Sequence, residues 1–495
     1  MLNNFFCKLK NGSDIRGTAI GENIDLTNEV IERIANGFIT WISDQYGLVP
    51  KEISVAIGHD SRISASRIKN VLINTIRSFG IQVYDCGLAS TPAMFMSISV
   101  LKCTASIEIT ASHLPADRNG LKFFIPEGSL ESSDIEKILE YAQEDVKMPS
   151  REDGKVRAVN IMSYYSEKLR KIIKEECGSN NALRGLKVSI DAGNGAGGFF
   201  VKDVLSLLGA EICAEVGTEP DGTFPIHIPN PENKEATKYF SEVTKSSGAD
   251  IGIMFDTDVD RVAIISGNGK VISGTKLIAF VAKFVLKQYP NCVIVTDSMT
   301  YESLKMFIEK MGGHQFRYKR GYKNVINMAK KINERGGNCP LAIETSGHAA
   351  FKENNFMDDG AYLACKILVE VLKIKNLGKT VENMIDELEI PKGELDIRIK
   401  IKDNLADINK VMKDLSSYAK SSKSIKLDEE NAEGVRIYFL SKQQNGLILL
   451  RKSLHEPELV FHAESYAQGG LRLIMNYIKP LLKKYDFLDI SGISV

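Results

Sequence analysis

The sequence predicts an α/β protein built from several domains. Short β-branched runs alternate with longer helical patterns over most of the chain, and its 495 residues are enough for about three or four domains of ordinary size. From about residue 390 alternating strands become more frequent. We therefore expect three similar α/β domains at 1–158, 159–275 and 276–390, followed by a smaller α+β domain at 391–495.

The three α/β domains are predicted from a repeated order of strand, turn and helix. In each, an apolar strand ends in a polar turn, and a segment with a helical period of 3.6 follows. The units are ISVAIGHDSR (53–62) followed by SASRIKNVLINTIRSFG, KVSIDAGNGAGG (187–198) followed by FFVKDVLSLLGA, and CVIVTDSMT (292–300) followed by YESLKMFIEKMGG. DAGNGAGG matches neither the P-loop nor G-x-G-x-x-G in full, so it predicts a closely packed turn and helix start rather than a nucleotide site.

The α+β domain is predicted from three strands and two helical patterns. The strands are GELDIRIKIK, GVRIYFL and GLILLRKS, and the helical patterns lie near 402–420 and 463–484.

The composition argues against several classes of protein. Sixty-three basic and 63 acidic residues give a formal net charge of +0, without the basic excess of a nucleic-acid-binding surface. No uncharged apolar stretch reaches the ~18 residues of a membrane span, and the N-terminus does not have the pattern of a signal peptide. The eight cysteines are scattered singly, which indicates reduced thiols rather than a zinc site or a disulfide framework. We therefore expect a cytoplasmic protein that binds neither nucleic acid nor membrane.

Three aspartates follow a predicted buried strand in ADIGIMFDTDVDR (249–261). Asp256, Asp258 and Asp260 alternate, and alternate residues of an extended segment point to one side, so we expect their carboxylates to converge. Such a group of negative charges needs a cation, and its hard oxygen ligands suit Mg²⁺. An EF-hand is excluded by the spacing of Gly and Glu. The alternative interpretation is a solvated acidic turn.

A second polar loop, ITASHLPADRNGLKFF (109–124), contains a serine beside a histidine. Ser112, His113 and Lys122 place a hydroxyl, a base and a cation in one loop, which suits proton transfer and anion binding. The alternative is a serine that caps a turn. The G-x-S-x-G pattern of an α/β-hydrolase is absent.

Two further loops have the composition of a ligand site. In AIETSGHAAFKENNFMDDGAY (342–362), Glu344, Ser346 and His348 alternate, which suits a polyhydroxyl ligand such as a sugar. In LLRKSLHEPEL (449–459), Arg451, Ser453 and His455 follow a buried run. An arginine, a hydroxyl and backbone N–H groups together suit a phosphate. A polar strand end and a surface turn are the respective alternatives.

These four loops, in this order, resemble those of the α-D-phosphohexomutases, the family of phosphoglucomutase and phosphomannomutase. The family motifs and their counterparts here are T-A-S-H-N-P with N-G-x-K at 110–115 and 119–122, D-G-D-x-D-R at 256–261, G-E-x-S-G-H at 343–348, and R-x-S-G-T-E-P at 451–457. Weaker matches are SDIRG (13–17), GHDSR (58–62), PDGTFPIHIPNPE (220–232) and DDG (358–360). The resemblance extends from near residue 13 to the C-terminus.

The resemblance implies a fold and an activity. The fold would have four domains around a central cleft, three of them related α/β domains with mixed sheets. The activity would interconvert hexose 1-phosphate and hexose 6-phosphate, for glucose and/or mannose, through a phosphoserine enzyme and a bisphosphorylated sugar. One Mg²⁺ per chain and hexose 1,6-bisphosphate as activator and intermediate are implied as well. The partners would be small sugar phosphates, and the protein would be a monomer or a homodimer.

The resemblance also implies a role for each candidate residue. Ser112 would carry the phosphoryl group and bind the metal together with Asp256, Asp258 and Asp260; Arg16 and Arg261 would neutralise the transferring group; Lys122 would assist proton transfer; His113 would shape the serine loop; and His348 would lie near the reacting end of the sugar. The substrate-binding candidates are Gly321, Tyr322, Glu344, Ser346, Arg451, Ser453 and His455.

The sequence departs from the family pattern at several positions of these loops. Leu114 replaces an asparagine and Ser13 an aromatic residue, while Leu454 and His455 replace small residues and threonine in the phosphate loop. Below its pKa, His455 would add positive charge to that loop. Thr345 occupies the variable position of the sugar loop and does not indicate which sugar is bound. The alternatives are therefore an aminosugar phosphate mutase, a non-catalytic sugar-phosphate-binding regulator, or an aspartyl-phosphate hydrolase that uses Asp256.

Overall fold

In the computed structural model of the chain, the described residues are 2–145, 154–402, 407–453 and 458–493. They form two compact units. Unit 1 comprises Met1–Leu277 and Ser346–Met384, and unit 2 comprises Ile278–Thr345 and Ile385–Val495. Within the described residues, no helix has both the length and the apolar composition that a membrane crossing requires.

The first sheet of unit 1 is mixed and carries the serine loop. Its strands are β1 (Lys10–Asn11), β2 (Asp14–Thr18), β3 (Ser54–His59), β4 (Gln82–Leu88), β5 (Ala105–Ile109), β6 (Arg118–Ile125), β7 (Gly128–Ser129) and β8 (Val156–Ala158), in the order β1-β2-β6-β5-β3-β4-β8 with β7 on β6. The associated helices are α1 (Asn4–Leu9), α2 (Asn28–Tyr46), α3 (Ala65–Arg77), α4 (Thr91–Leu101), α5 (Ser132–Gln143) and α6 (Ile161–Cys177). Strands β3, β4 and β5 are parallel, whereas β6 runs antiparallel between β2 and β5.

The second sheet of unit 1 carries the aspartate loop. Its strands are β9 (Lys187–Asp191), β10 (Glu211–Val216), β11 (Ile251–Phe255), β12 (Val262–Ser266) and β13 (Val271–Ile272), in the order β10-β9-β11-β12-β13, with helix α7 at Lys234–Ser247. The burial of every residue of β11 and β12 explains why they read as continuous apolar runs. The aspartate loop is the turn that joins these two strands.

The segment FFVKDVLSLLGA is not the regular α-helix that its period predicts. It forms a π-helix at Phe200–Leu205 and a 3₁₀ turn at Ser206–Leu208. The adjacent rings of Phe199 and Phe200 contact different partners, Tyr165 and Phe255. The preceding glycines do pack closely, as predicted, because a Cβ on Gly195 would lie 2.3 Å from the Thr257 carbonyl oxygen.

Unit 2 contains a parallel group of strands and an antiparallel sheet. The parallel group is β15-β14-β16, formed by β14 (Val293–Thr296), β15 (His314–Arg317) and β16 (Leu341–Ile343), and it is accompanied by α8 (Thr275–Gln288), α9 (Glu302–Lys310) and α10 (Tyr322–Glu334). The chain then enters unit 1 through β17 (Ala349–Phe351) and α11 (Gly360–Asn376), and α12 (Val381–Ile385) follows.

The antiparallel sheet of unit 2 is the predicted C-terminal α+β domain. Its strands are β18 (Gly393–Lys400), β19 (Ile425–Leu427), β20 (Val435–Phe439), β21 (Gly446–Lys452) and β22 (Glu458–Ser465), in the order β18-β22-β21-β20-β19, with α13 (Ile408–Ser421) and α14 (Gly470–Leu482). The helix predicted near 463–484 begins later than expected, because residues up to Ser465 pair with β18 and β21. Gly469, with φ +71°, separates strand from helix.

Candidate active site

Ser112 is the central residue of the loop between β5 and β6. It is 1% exposed and has φ +50°, a left-handed conformation that few residues other than glycine adopt. Its Oγ donates a hydrogen bond to Asp256 Oδ2 at 3.0 Å, and its N–H donates to Thr110 Oγ1 at 2.8 Å. A strained serine whose hydroxyl faces a carboxylate from another sheet is the kind of outlier that marks a functional site.

A buried arginine fixes the shape of this serine loop. The Arg62 guanidinium donates to main-chain oxygens of Ser112, Leu114, Pro115 and Arg118. It also pairs with Asp60 at 3.2 Å, and Asp60 accepts a hydrogen bond from Thr110. Burial raises the pKa of Asp60, and the charge of Arg62 opposes that rise. The sequence pattern showed this arginine only as part of GHDSR, without a role.

The three aspartates converge, as the sequence predicts, although by a different geometry. One carboxylate oxygen of each lies within 4.8 Å of one oxygen of the other two, and all three residues are buried. The segment is not extended, because β11 ends at Phe255 and a turn follows in which Val259 has φ +66°. The sequence predicted that an extended strand would bring the three carboxylates together. In the structure a turn does so.

The aspartate cluster fits a divalent cation. Burial and the charges of Asp260 and Asp258 raise the pKa of Asp256 well above its usual value, so the cluster is short of positive charge. Among the described residues, nothing donates a hydrogen bond to Asp258 Oδ1 or to Asp260 Oδ1, although both atoms are buried. Buried carboxylate oxygens without donors are suited to a hard cation such as Mg²⁺.

Lys122 and Thr91 bind the outer side of this cluster. Lys122 Nζ lies 2.7 Å from Asp258 Oδ2 and 2.5 Å from Asp260 Oδ2, and the Thr91 hydroxyl donates to Asp258 Oδ2. Burial would raise the pKa of Asp260, but the charges of Lys122, His348 and Arg261 lower it instead. Arg261 Nε also lies 3.7 Å from Asp256 Oδ2, so two cations, Lys122 and Arg261, face the three carboxylates.

Arg261 is hydrogen-bonded to His348, which is also in ion-pair contact with Asp358. Arg261 Nε donates to His348 Nε2 at 2.9 Å, and His348 Nδ1 lies 2.5 Å from Asp358 Oδ2. Burial lowers the pKa of His348, but the charges of Asp358 and Asp260 raise it overall. Asp260, His348 and Asp358 also lie close enough to share an ion. The three-aspartate group suits Mg²⁺ better, because its donors are all oxygen. The sequence pattern contained Asp358 only as part of DDG, without a role.

His113 and Arg16 complete the charged groups beside Ser112. His113 Nδ1 lies 3.2 Å from Ser112 Oγ, and Arg16 pairs with Asp14 at 2.7 Å. The charge of Arg261, burial and the charge of Arg16 lower the pKa of His113 well below its usual value, so its ring is neutral at pH 7. A neutral imidazole next to the serine hydroxyl shapes the loop without adding charge.

The remaining candidates lie mainly in unit 2. Gly321 N–H donates to Glu344 Oε1 at 2.6 Å, and Tyr322 begins helix α10 directly afterwards. Arg451 is 5% exposed near the end of β21, and the Ser453 N–H donates to the Glu458 carbonyl. Leu454 and His455 lie outside the described residues.

The structure therefore divides the predicted site residues between the two units. Unit 1 holds Arg16, Ser112, His113, Lys122, Asp256, Asp258, Asp260, Arg261, Ser346 and His348, and unit 2 holds Gly321, Tyr322, Glu344, Arg451 and Ser453. Groups suited to phosphoryl chemistry are in the first, and groups suited to hydroxyl and phosphate recognition are mostly in the second.

Sequence comparisons place this geometry in a family. Profiles described as phosphoglucomutase/phosphomannomutase, alpha/beta/alpha domains I, II and III match residues 8–148, 163–269 and 273–389. The phosphomannomutase/phosphoglucomutase of Pseudomonas syringae pv. tomato is 31% identical over 450 residues, which cover 90% of each chain. The chain belongs to the α-D-phosphohexomutase family. The resemblance predicted from the four loops is confirmed.

Other phosphohexomutases are similar over the same length. The phosphoglucosamine mutase of Streptococcus pneumoniae serotype 2 is 30% identical over 467 residues, which cover 92% of this chain and 94% of that protein. The crystal structure of a phosphoglucomutase/phosphomannomutase family protein from Burkholderia thailandensis matches with a TM-score of 0.81 at 24% identity, over 96% of this chain and 97% of that one. Because the sequence identity of this structural match is only 24%, it supports the phosphohexomutase fold alone.

Proposed function

We propose that this protein is a Mg²⁺-dependent phosphohexomutase that interconverts hexose 1-phosphate and hexose 6-phosphate, with glucose and/or mannose as the sugar. The observation that carries the proposal is the buried Ser112 hydroxyl, 3.0 Å from one of three convergent carboxylates. A hydroxyl that stores a phosphoryl group needs a cation beside it, and the carboxylates supply the ligands for that cation.

In the proposed reaction Ser112 carries a phosphoryl group. A hydroxyl oxygen of the bound sugar monophosphate forms a bond to phosphorus while the bond from phosphorus to Ser112 Oγ breaks, which yields the bisphosphorylated sugar. The proton of the sugar hydroxyl passes, with the assistance of Lys122, to the Ser112 Oγ that is released, which regenerates the serine hydroxyl. After the sugar turns over, its other phosphoryl group returns to Ser112 and the isomeric monophosphate is released. Each transfer requires in-line positioning and charge neutralisation.

The other side chains have electrostatic and positioning roles in this proposal. Arg16 and Arg261 neutralise charge on the transferring group, and His348, oriented by Asp358, lies at the reacting end of the sugar. One Mg²⁺ per chain would be held by Ser112 and the three aspartates, and it would supply charge neutralisation. Gly321, Tyr322, Glu344 and Ser346 are proposed to bind sugar hydroxyls, and Arg451, Ser453 and His455 to bind the phosphate that is not transferred.

The test is a turnover assay. Purified protein is incubated with glucose 1-phosphate or mannose 1-phosphate, Mg²⁺ and a trace of glucose 1,6-bisphosphate as activator. We expect the 6-phosphate to form with the parent and not with Ser112→Ala. The matched control is Ser106→Ala, which removes the buried hydroxyl of a serine in β5, the strand before the serine loop, where it donates to the Met94 carbonyl. If both sugars are left unchanged and Ser112→Ala behaves like the parent, the proposal fails.

The same assay, run with a panel of sugar phosphates, separates this proposal from the alternatives, which are an aminosugar phosphate mutase, a regulator and an aspartyl-phosphate hydrolase. Glucosamine 1-phosphate belongs in it, because one relative is named phosphoglucosamine mutase. Binding without turnover would favour a regulator. Phosphate release without a seryl phosphate would favour an aspartyl-phosphate hydrolase.

We further propose domain boundaries near residues 158, 275 and 390, a cytoplasmic location, and a monomeric or homodimeric state. The profile matches at 8–148, 163–269 and 273–389 support those boundaries. Eight free cysteines, most of them buried, support a reducing compartment. Light scattering of the purified protein determines its oligomeric state.

A further inference from the structure

Glu433 accepts contacts from three separate segments of unit 2. Its Oε2 accepts a hydrogen bond from the Ser298 hydroxyl at 2.5 Å and another from the Arg320 N–H at 3.1 Å. Its Oε1 lies 3.7 Å from Arg451 Nη1. One carboxylate thus joins the loop after β14, the turn before α10 and strand β21.

The local fold leaves this carboxylate little freedom to lie elsewhere. Glu433 lies in a short turn before β20, in which the Asn431 side chain donates to the carbonyls of Glu433 and Gly434. Gly434 has φ +66°, and a Cβ there would lie 2.2 Å from the Leu450 carbonyl oxygen and 2.8 Å from Arg451 Cβ. The turn is therefore pressed against β21 beside Arg451, and only glycine permits that approach.

Arg451 depends on Glu433 for its charge balance. Burial lowers the pKa of Arg451, the charge of Glu433 raises it, and the nearby charge of Arg320 lowers it again. Among the described residues, no acceptor bonds to the buried Arg451 Nε. Nη1 of the guanidinium donates to the Lys452 carbonyl at 3.1 Å and faces Glu433, while Nε retains a donor for a ligand anion.

The turn before α10 connects this arginine to the candidate sugar-binding glutamate. The Arg320 N–H donates to Glu433, and the next N–H along the chain, that of Gly321, donates to Glu344 at 2.6 Å. Two consecutive N–H groups therefore bind two carboxylates, one beside Arg451 and one in the sugar loop. The distance from a hexose hydroxyl to its phosphate is fixed by covalent geometry, so a site for both needs a fixed spacing of this kind.

We propose that Glu433 is a positioning residue that sets the spacing between Arg451 and Glu344, and thereby the affinity for hexose monophosphates. The inference rests on the proposed function, because it concerns how unit 2 binds that substrate. The phosphate at Arg451 is not the one transferred. Its contacts are therefore the same in the ground state and in the transition state, and weakening them raises KM while kcat stays near the parent value.

Steady-state kinetics with glucose 1-phosphate test this role. Glu433→Gln keeps an oxygen that accepts from Ser298 and Arg320 but removes the charge beside Arg451. We expect its KM to rise about 10-fold with kcat within about twofold of the parent, as for loss of a hydrogen bond to a charged group. Glu433→Asp keeps the charge, so its KM should lie between that of the parent and that of Glu433→Gln. The matched control is Glu430→Gln, an exposed acid in the same turn, which should leave both constants unchanged.

Calorimetric titration with glucose 6-phosphate gives a readout that does not require turnover. Its Kd should rise in Glu433→Gln by the same factor as KM. An unchanged KM and Kd overturn the proposal, and so does a lower KM, which would make Glu433 a competitor of phosphate. A fall in kcat at constant KM would indicate a purely structural role and also overturns it. Failure of the proposed function is distinct, because then the parent turns over no sugar phosphate, while the Kd comparison still decides the role of Glu433.

Discussion

The two units hold their candidate functional groups in different ways. In unit 1 the main chain and buried ion pairs fix each reactive group: Arg62 binds four carbonyls of the serine loop, and Lys122 bridges two aspartates. In unit 2 the candidate groups depend on two glutamates, Glu344 and Glu433, that contact consecutive N–H groups of one turn. The groups proposed for the chemistry are therefore held by many buried contacts, whereas those proposed for recognition depend on a few side-chain contacts. Changes in unit 2 should alter affinity while leaving the reaction intact.

The largest expected effect is loss of the cation site in unit 1. Asp258→Asn removes a charge from the cluster of three carboxylates, and we expect kcat to fall by at least about 1,000-fold. Chelation of divalent metal should abolish turnover of the parent, and added Mg²⁺ should restore it. Asp203→Asn, at an exposed aspartate of the same unit, is the control for loss of one charge. Parent-like turnover of Asp258→Asn in chelator would contradict a metal role for the cluster.

The second prediction concerns the buried arginine of unit 1. Arg62→Met leaves Asp60 without its counter-charge and frees four carbonyls, so the free energy of unfolding should fall by about 3–5 kcal/mol. Denaturant titration followed by circular dichroism measures it. A loss below about 1 kcal/mol would show that the serine loop does not depend on this ion pair.

The third prediction places a pH-dependent contribution in unit 2. Burial disfavours a charged His462, but hydrogen bonds to Asp396 and Glu464 and their charges raise its pKa to about 9. The folded state therefore binds the proton more tightly than the unfolded chain. The resulting stability, roughly 3 kcal/mol for this shift, is complete below about pH 6.5 and is lost as the pH rises through 9.

Thermal unfolding of the parent and of His462→Gln between pH 6 and pH 10 measures this contribution. We expect the difference in free energy of unfolding to be largest at pH 6 and to be smaller by roughly 3 kcal/mol at pH 10. His314→Gln, at an exposed histidine of β15 in the same unit, is the control. A difference that is constant with pH would mean that the contribution of His462 does not depend on its protonation.

The smallest expected effect concerns Glu108, a buried carboxylate of unit 1 that is an exception to the ion pairing of the other buried charges there. Glu108 is fully buried, and no described residue donates a hydrogen bond to either of its carboxylate oxygens. Burial, together with the charges of Asp60 and Asp258, raises its pKa well above the usual value, so the folded state loses stability as the pH rises above about 4.5. Glu108→Met should stabilise the protein by about 1 kcal/mol at pH 8 and by less at pH 5. A Met variant that is less stable than the parent at pH 8 would show that the carboxylate has a favourable role.

Sequence patterns were sufficient for the fold class and for the four loops, because strand ends and polar turns leave local signals. The aspartates illustrate the limit: their convergence was predicted, but it arises from a turn around Val259 rather than from an extended strand. The roles of Arg62, Asp358 and Glu433 were not predictable, because each acts through contacts with main-chain atoms or with residues that are distant in sequence. Such contacts leave no periodic pattern.

The central claim is that Ser112 stores a transferable phosphoryl group beside a cation site. Intact-mass spectrometry with peptide mapping, after incubation with glucose 1,6-bisphosphate and Mg²⁺, tests it most directly. We expect one added phosphoryl group on the peptide that contains Ser112, its transfer to glucose 1-phosphate on addition of that sugar, and no adduct in Ser112→Ala. An adduct on another residue, or turnover by Ser112→Ala without any adduct, would contradict it.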